Sequence, residues 1–157
     1  LITNRDADQF IYGVGTAVSP DLQLAIEKAM LVAKADLADQ MKGQMNKKAE
    51  MYITELGAEG NKQVATRVES TIVNLIKDTK VVGYEQFEKD VFITADQNYR
   101  IYVGLRWSHT DSNRLFAYIQ DEINREIEMA ADVDELAQSA VNDVLDMSAP
   151  VTGVEVN

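Results

Sequence analysis

The chain has 157 residues, of which 46% are hydrophobic and none is cysteine, so it can bury a core of its own but can form neither disulfides nor thiolate metal sites. No apolar run approaches the roughly 20 residues that span a bilayer, so no membrane span is expected. The net charge of −11 repels nucleic-acid backbones and anionic lipid, which argues against nucleic acid as a partner.

A strand of small residues opens the patterned part of the chain. Residues 10 to 17 have the pattern of a strand, and one face of this strand carries Gly13 and Gly15. The position where a dinucleotide loop needs its third glycine holds Val18, so close packing is the better interpretation and no cofactor is expected.

Residues 19 to 56 then have the apolar spacing of one long helix, with Ser19 as the predicted N-cap and Pro20 at the first helical position. Gly43 permits a kink but does not end the pattern. The helix face begins with three small residues, which we expect to pack on the two strand glycines: Ala25, Ala29 and Ala33. A second helix is predicted from 62 to 78, capped by Asn61.

Two strands are predicted next, from 79 to 94 and from 98 to 107. The second alternates cleanly, with Tyr99, Ile101 and Val103 on one side and Arg100 and Tyr102 on the other. The first is irregular near Glu88, where a bulge is expected, and its register is not defined by the sequence. Residues 8–107 therefore predict an α+β fold in which a three-stranded antiparallel sheet is covered on one face by long helices.

The last third of the chain differs in charge from the rest. Residues 1–107 carry a net charge of −2 and residues 108–157 a net charge of −9. Two acidic helices are predicted here, the second near 133–147, and Pro150 ends the pattern before an extended tail, 149–157. We expect residues 108–148 to form an assembly arm, and a chain ended after Trp107 to keep a folded domain. The residues of the arm expected to contact a neighbouring subunit are Leu115, Ile119, Ile123, Ile127 and Leu136.

No residue set in the sequence has the spacing of a catalytic or metal site. His109 has Asp111 nearby but no activated nucleophile, and a cap-region role is preferred. The acids Asp132, Asp134 and Glu135 lack the glycine and distal glutamate of a calcium loop, so a solvated helix face is preferred. A further interaction patch is expected on the outer sheet face, from three tyrosines: Tyr12, Tyr84 and Tyr102.

The strand with Tyr12-Gly13-Val14-Gly15, the alanine-spaced helix and the hairpin ending Tyr99-Arg100-Ile101-Tyr102-Val103 together resemble a known family. It is the small outer-membrane lipoprotein family called lipoprotein twenty, which includes the flagellar protein FlgP and is similar to a domain of FlgT. The resemblance covers about residues 8–107. The family's lipidation cysteine has no counterpart here, and the acidic helices lie outside the shared region.

The resemblance implies a protein without catalytic residues, cofactors or metals, located in the periplasm or at the outer membrane. We therefore expect a structural subunit of an extracytoplasmic assembly, such as an envelope or flagellar ring or a secreted filament, which associates with itself and with other envelope or appendage proteins. Two alternatives stay open. One is a module that binds a small ligand between the long helix and the sheet, and the other is a structural protein on the surface of a viral particle.

Overall fold

The computed structural model describes residues 9–77 and 83–148 and confirms the α+β fold. A three-stranded antiparallel sheet carries helices on one of its faces. The elements in chain order are β1 (Phe10–Ser19), α1 (Leu22–Glu55), α2 (Lys62–Lys77), β2 (Glu85–Ile93), β3 (Tyr99–Ser108) and α3 (His109–Met147).

The last strand, β3, lies at the centre of the sheet, between β1 and β2. Its predicted alternation is correct, because the side chains on the helix-covered face are buried, from Ile101 to Trp107, while Arg100 and Tyr102 are exposed. The irregularity expected in β2 is present as a bulge between Gln86 and Glu88. This extra residue explains why the register of β2 could not be read from an alternating pattern.

The strand β1 and the helix α1 pack with their backbones in direct contact. A Cβ atom on Gly15 would lie 2.2 Å from the carbonyl oxygen of Ala29, and one on Gly13 would lie 2.5 Å from the Cβ of Leu37. Ala29 and Ala33 are fully buried at this contact. The helix backbone therefore rests directly on the strand, and only glycine fits at the two strand positions.

The buried side chains of α1 recur every four residues along its whole length: Ala25, Ala29, Ala33, Leu37, Met41, Met45, Ala49 and Ile53. Four residues of an α-helix turn through about 400°, so each step moves the buried line by about 40° around the helix axis. The first half of the line faces the sheet, and the second half is rotated away to face other helices. The same helix therefore packs on the sheet with its first half and on the other helices with its second half.

The N-cap of α1 is Asp21 and not the predicted Ser19. The Asp21 carboxylate accepts a hydrogen bond from the backbone N–H of Leu24 at 2.8 Å, while the Ser19 hydroxyl accepts one from the N–H of Asp21. The strand β1 continues through Ser19, so the helix begins two residues later than predicted and the Asp21 carboxylate serves as the cap. The Asn61 cap of α2 is confirmed, since its side-chain oxygen accepts from the N–H of Val64.

The second half of α1 packs with α2 and with the first half of α3. Tyr52 of α1 lies edge-on to Phe116 and donates a hydrogen bond to Asn124, and Lys48 contacts Ser112, so α3 runs parallel to α1. The helix α2 runs back antiparallel to both. Its Arg67 forms an ion pair with Glu126 of α3 at 3.4 Å, which places the beginning of α2 beside the middle of α3.

The C-terminal region is one helix of 39 residues and not the two that were predicted. The apolar stripe does change face between Ile127 and Leu136, and this shift suggested a break. No glycine or proline lies within the helix to produce one, and Ala130 and Ala131 favour helix strongly. The stripe therefore rotates on a continuous helix that ends at a Ser148 cap.

Candidate interaction surface

The second half of α3 is the most unusual surface of the protein. Every residue from 131 to 148 is exposed, and we call this segment, which is shorter than the predicted assembly arm of residues 108–148, the arm. Because α1 and α2 turn back at residues 56–61, beside Ala130, the arm extends past the end of the bundle for about 26 Å at 1.5 Å per residue. Its exposed large apolar side chains are Val133, Leu136, Val141, Val144, Leu145 and Met147.

Several of these side chains form a stripe along one side of the arm. Val133, Leu136, Ala140, Val144 and Met147 follow one another at spacings of three and four residues, which places them on one face of a helix. Leu136 is 71% exposed and Met147 is 87% exposed. Single exposed apolar residues are ordinary, whereas a continuous stripe of them is typical of surfaces through which proteins associate.

The arm is also strongly acidic. Residues 126–148 contain seven Asp and Glu residues and neither Lys nor Arg. Two arms placed side by side would bring like charges together, so the charge favours a partner surface with basic residues.

The structure divides the predicted interface residues of this helix into two groups. Leu115, Ile119 and Ile123 are buried inside the chain, against α1 and α2, so the prediction that they contact a neighbouring subunit is wrong. Ile127 is half-buried at the edge of the same core. Leu136 alone of the five lies on the exposed arm. Periodicity identified the apolar face correctly but carried no information on whether its partner lies in the same chain.

A second exposed face with apolar residues lies on the first half of α1, on the side turned away from the sheet. We call it the α1 outer face and define it by Leu24, Lys28, Leu31 and Ala35, which are all exposed. Leu31 is 71% exposed. This face was not predicted because the stronger buried stripe dominates the helix pattern, although the spacing of four, three and four residues is visible beside it.

The outer face of the sheet carries aromatic side chains, but in a different set from the one predicted. Tyr12 packs edge-on against Phe87 with ring centroids 5.3 Å apart, and Tyr102 packs against Phe92 at 5.7 Å. Tyr84 does not join them, because it packs against the core on the helix side, where Lys34 lies 5.9 Å from its ring centroid. The bulge in β2 prevented that face from being assigned by counting residues.

An arginine holds one end of this aromatic group in place. The guanidinium of Arg106 lies 4.3 Å from the ring centroid of Phe10 and forms an ion pair with Glu85 across the sheet. The Arg106 side chain therefore has both an aromatic and a carboxylate partner within the chain. The Phe92 and Tyr102 pair at the other end remains more exposed.

Grooves open to solvent lie at the base of the arm and on the outer face of the sheet. The larger, of about 510 Å³, lies where the arm leaves the bundle, between the start of α2 and residues 126–134 of α3. The smaller, of about 390 Å³, lies on the outer sheet face, between Val14, Tyr102 and Asp90. The smaller groove is also lined by Val32 of α1, whereas directly over Gly13 and Gly15 the backbone contact between helix and strand leaves no cleft.

The polar residues considered for chemistry lie at the start of α3 or are exposed on its surface. Ser108 caps α3, accepting from the N–H of Asp111 and donating to its carboxylate, while His109 occupies the first helical position. Asp132, Asp134 and Glu135 are exposed on the arm. Within residues 9–77 and 83–148, no group of three or more histidine and acidic side chains has the geometry of a metal site.

The exposed edge of β2 was not anticipated from the sequence. Val91, Phe92 and Ile93 are exposed although they belong to a strand, because the helical layer covers β1 and β3 and leaves β2 open on both faces. The free edge of β1, by contrast, is partly protected. The carboxylate of Asp36 on α1 accepts a hydrogen bond from the outward N–H of Val14 at 2.9 Å.

Comparison with known proteins adds little to these observations. No protein-family model matches the chain, and no curated protein matches it. Among solved structures it is similar to a crystal structure described as hypothetical protein FTT1539c from Francisella tularensis, with 20% identity and a TM-score of 0.36. The similar region covers 62% of this chain and 31% of that chain. Among the described residues, no helix is long and apolar enough to cross a bilayer.

Proposed function

We propose that this protein is a non-enzymatic structural subunit of an extracytoplasmic assembly and that it works by self-association. The observation that carries the proposal is the arm, which presents an apolar stripe to solvent beyond the end of the bundle. A subunit that extends such an arm has a means of contacting a neighbour, and it leaves its folded body free to carry other surfaces.

The energetics of the arm support a partner. Isolated helices shorter than about 12–15 residues are marginal in water, and longer ones gain most of their stability from packing. The arm has no packing of its own, and burying its larger apolar side chains would stabilise a complex by about 1.5–3 kcal/mol each before association costs. The arm therefore gains stability by associating.

The location and the type of assembly rest on the family resemblance. The glycine strand of β1, the alanine face of α1 and the hairpin of β2 and β3 resemble the lipoprotein twenty family, whose members work at the outer membrane or in the periplasm. On this basis we place the assembly at the cell envelope, as a ring or a filament, with other envelope or appendage proteins as further partners. A structural role on a virus particle uses the same arm and is the alternative setting.

A second candidate function is supported by the groove on the outer sheet face. Its floor is apolar, with Val14 and Tyr102, and one wall carries the carboxylates of Glu88 and Asp90. Such a groove suits a small cationic ligand with an apolar body. We rank this function second because the groove is shallow and open, whereas the arm is a continuous surface.

Native mass in solution tests the proposal. The full chain is expected to show a mass above that of the monomer that rises with protein concentration, when followed by analytical ultracentrifugation. Leu136→Asp is expected to shift the chain to monomer, because it places a charge in the apolar stripe of the arm. Gln138→Asp, on the opposite side of the same helix, is the matched control and is expected to leave the mass unchanged.

Two results would contradict the proposal. One is a wild-type chain that remains monomeric at all concentrations. The other is a monomeric chain whose melting temperature rises saturably with a cationic amphiphile and whose response is lost with Asp90→Asn, which would favour the ligand-binding function.

A further inference from the structure

The free edge of β2 presents main-chain hydrogen-bonding groups to solvent. The backbone N–H of Thr94 donates to the carbonyl of Asn98 at 2.8 Å, so Thr94 directs its main chain toward β3. Main-chain direction alternates along an antiparallel strand, and the N–H and C=O groups of Lys89, Val91 and Ile93 therefore point away from the sheet. An edge of this kind is a template on which another strand can pair.

The side chains of this edge divide between the two faces of the sheet. Lys89, Val91 and Ile93 lie on the helix side, because their partners on β3 belong to the helix-covered face. Asp90 and Phe92 lie on the outer side, opposite exposed β3 residues. Since the helical layer lies over β1 and β3, Val91 is 46% exposed and Ile93 is 72% exposed. Unpaired main chain and exposed aliphatic side chains therefore occur at the same place.

We infer that the β2 strands of two copies pair edge to edge and antiparallel, about a two-fold axis at Val91, so that the two three-stranded sheets join into one. This inference rests on the proposed self-association and assigns to it a surface separate from the arm. The edge of β1 is the poorer partner for a second copy, because the Asp36 carboxylate already accepts a hydrogen bond from the outward N–H of Val14.

The register follows from hydrogen bonding and charge together. With Val91 opposite Val91 of the second copy, Lys89 lies opposite Ile93, and all three outward residues of each strand exchange main-chain hydrogen bonds. An axis at Lys89 or at Asp90 would place that side chain opposite its own copy, and like charges directly opposite each other are destabilising. An axis at Phe92 would place Lys89 opposite the hairpin turn and leave its main chain without a strand partner.

The outer face of the joined sheet is complementary in charge. Residues 88–94, together with Arg100, the β3 partner of Phe92, contain two acids and two bases. In the inferred register, Phe92 lies between Arg100 of its own chain and Asp90 of the second copy. The Arg100 side chain can therefore lie across the Phe92 ring and meet that carboxylate, and the two-fold axis repeats the contact. In the described parts of the chain, neither Arg100 nor Asp90 has an ion pair of its own.

The strand pair is a small contact. It joins about seven residues a side, whereas a standard interface has about 20–30 residues a side. We therefore expect it to be weak alone and to form in the assembly, where the arms hold copies together and raise the effective concentration of the two edges. A two-fold contact by itself ends at two copies, so the arm supplies the second contact that a ring or a filament needs.

Single cysteines test the register, because the chain has none of its own. With Val91→Cys, the two substituted residues have Cα atoms about 5.5 Å apart, within the range that a disulfide joins, and oxidation with diamide is expected to give a covalent dimer. Ile93→Cys is the matched control on the same strand face. It is the more exposed site, but its two copies lie about 13 Å apart along the strands, so at least about fivefold less dimer is expected.

A mixture of two control variants provides the positive counterpart. Ile93→Cys and Lys89→Cys are each expected to form little dimer alone. Mixed in equal amounts they are expected to form a covalent heterodimer, because Ile93 of one copy lies opposite Lys89 of the other in the inferred register. All three sites are exposed in the single chain, so the substitutions are expected to leave folding unaffected.

Charge exchange tests the contact of Arg100 with Asp90 between copies. In the Val91→Cys chain, Asp90→Arg and Arg100→Asp are each expected to weaken dimerisation about three- to tenfold, roughly 0.7–1.4 kcal/mol, because like charges then meet. Mixed in equal amounts, the two variants are expected to form the mixed dimer in excess over either homodimer, as measured by mass spectrometry. Mixing joins opposite charges at both contacts between copies, whereas it leaves contacts within each chain unchanged.

The outcomes separate this inference from the function on which it rests. If the wild-type mass rises with concentration but Val91→Cys gives no more dimer than Ile93→Cys, the copies associate elsewhere and the inference is wrong although self-association stands. A homodimer of Lys89→Cys or Ile93→Cys in excess over that of Val91→Cys would show a different register and would also overturn it. If the wild-type chain stays monomeric and Val91→Cys forms no dimer, the proposed function and the inference both fail.

Discussion

Both halves of α3 carry an apolar stripe, but the two stripes lie in opposite environments. Between His109 and Ala130 the apolar stripe that contains Leu115, Ile119 and Ile123 is enclosed by α1 and α2, and Ile119 is 0% exposed. From residue 131 onward every side chain is exposed. The difference arises because α1 and α2 turn back beside Ala130, so the partner helices end and α3 does not. An apolar stripe on a helix therefore predicts that the helix has a packing partner. The lengths of the neighbouring elements decide whether that partner lies in the same chain.

Shortening the chain at two places gives the largest test of this difference. A chain ended after Trp107 lacks the buried Leu115, Ile119 and Ile123, whose individual loss costs about 2–5 kcal/mol each, a sum comparable to the whole stability of about 5–15 kcal/mol. We expect it not to fold cooperatively, which reverses the expectation from sequence. A chain ended after Ala130 is expected to keep a cooperative urea transition at the same midpoint. A folded chain ended after Trp107 would show that the first half of α3 is not part of the core.

Single truncations compare the same chemistry in the two halves. Ile119→Ala is expected to lower the free energy of unfolding by about 2–5 kcal/mol, because it opens a cavity at a fully buried site. Leu136→Ala is expected to change it by less than about 0.5 kcal/mol. Urea denaturation at a concentration where the protein is monomeric measures both. Equal effects would mean that the arm packs on its own chain.

The contact between β1 and α1 gives a third, smaller test of close packing. Ala33→Leu is expected to cost about 1–3 kcal/mol, because the larger side chain must push the helix away from the strand at Gly13 and Gly15. Ala131→Leu, the same change at an exposed arm position, is the control and is expected to change stability by less than about 0.5 kcal/mol. An Ala33→Leu chain as stable as the wild type would show that the strand and the helix can separate freely.

Features of the fold that depend on local patterns could be predicted from the sequence, and other features could not. The α+β fold, the alternation of β3 and the cap at Asn61 followed from local patterns, because each depends on residues close together in the chain. The number of C-terminal helices did not, since a rotated stripe on a continuous helix looks like two helices when only the apolar positions are counted. The side of the sheet on which Tyr84 lies depended on one bulge residue in β2.

The candidate surface was predictable only in part. The acidic charge and the stripe through Leu136 were visible in the sequence and correctly suggested an unusual C-terminal region. The separation of Leu136 from Ile119 was not visible, because it depends on where the turn between α1 and α2 lies in space. The α1 outer face was hidden because the buried stripe of α1 moves around the helix, which leaves different sides exposed in its two halves.

Substitutions of the capping serines at the two ends of α3 are expected to have the smallest effects on stability. Ser108 accepts a hydrogen bond from the N–H of Asp111 at 3.1 Å, at the end of the helix that packs in the core. Ser108→Ala is therefore expected to lower the free energy of unfolding by about 1 kcal/mol. Ser148→Ala, at the end of the arm, is expected to change it by less than about 0.5 kcal/mol in the monomer, because fraying there exposes no core. If Ser148→Ala instead destabilises the assembled protein more than the monomer, the end of the arm is ordered by its neighbour.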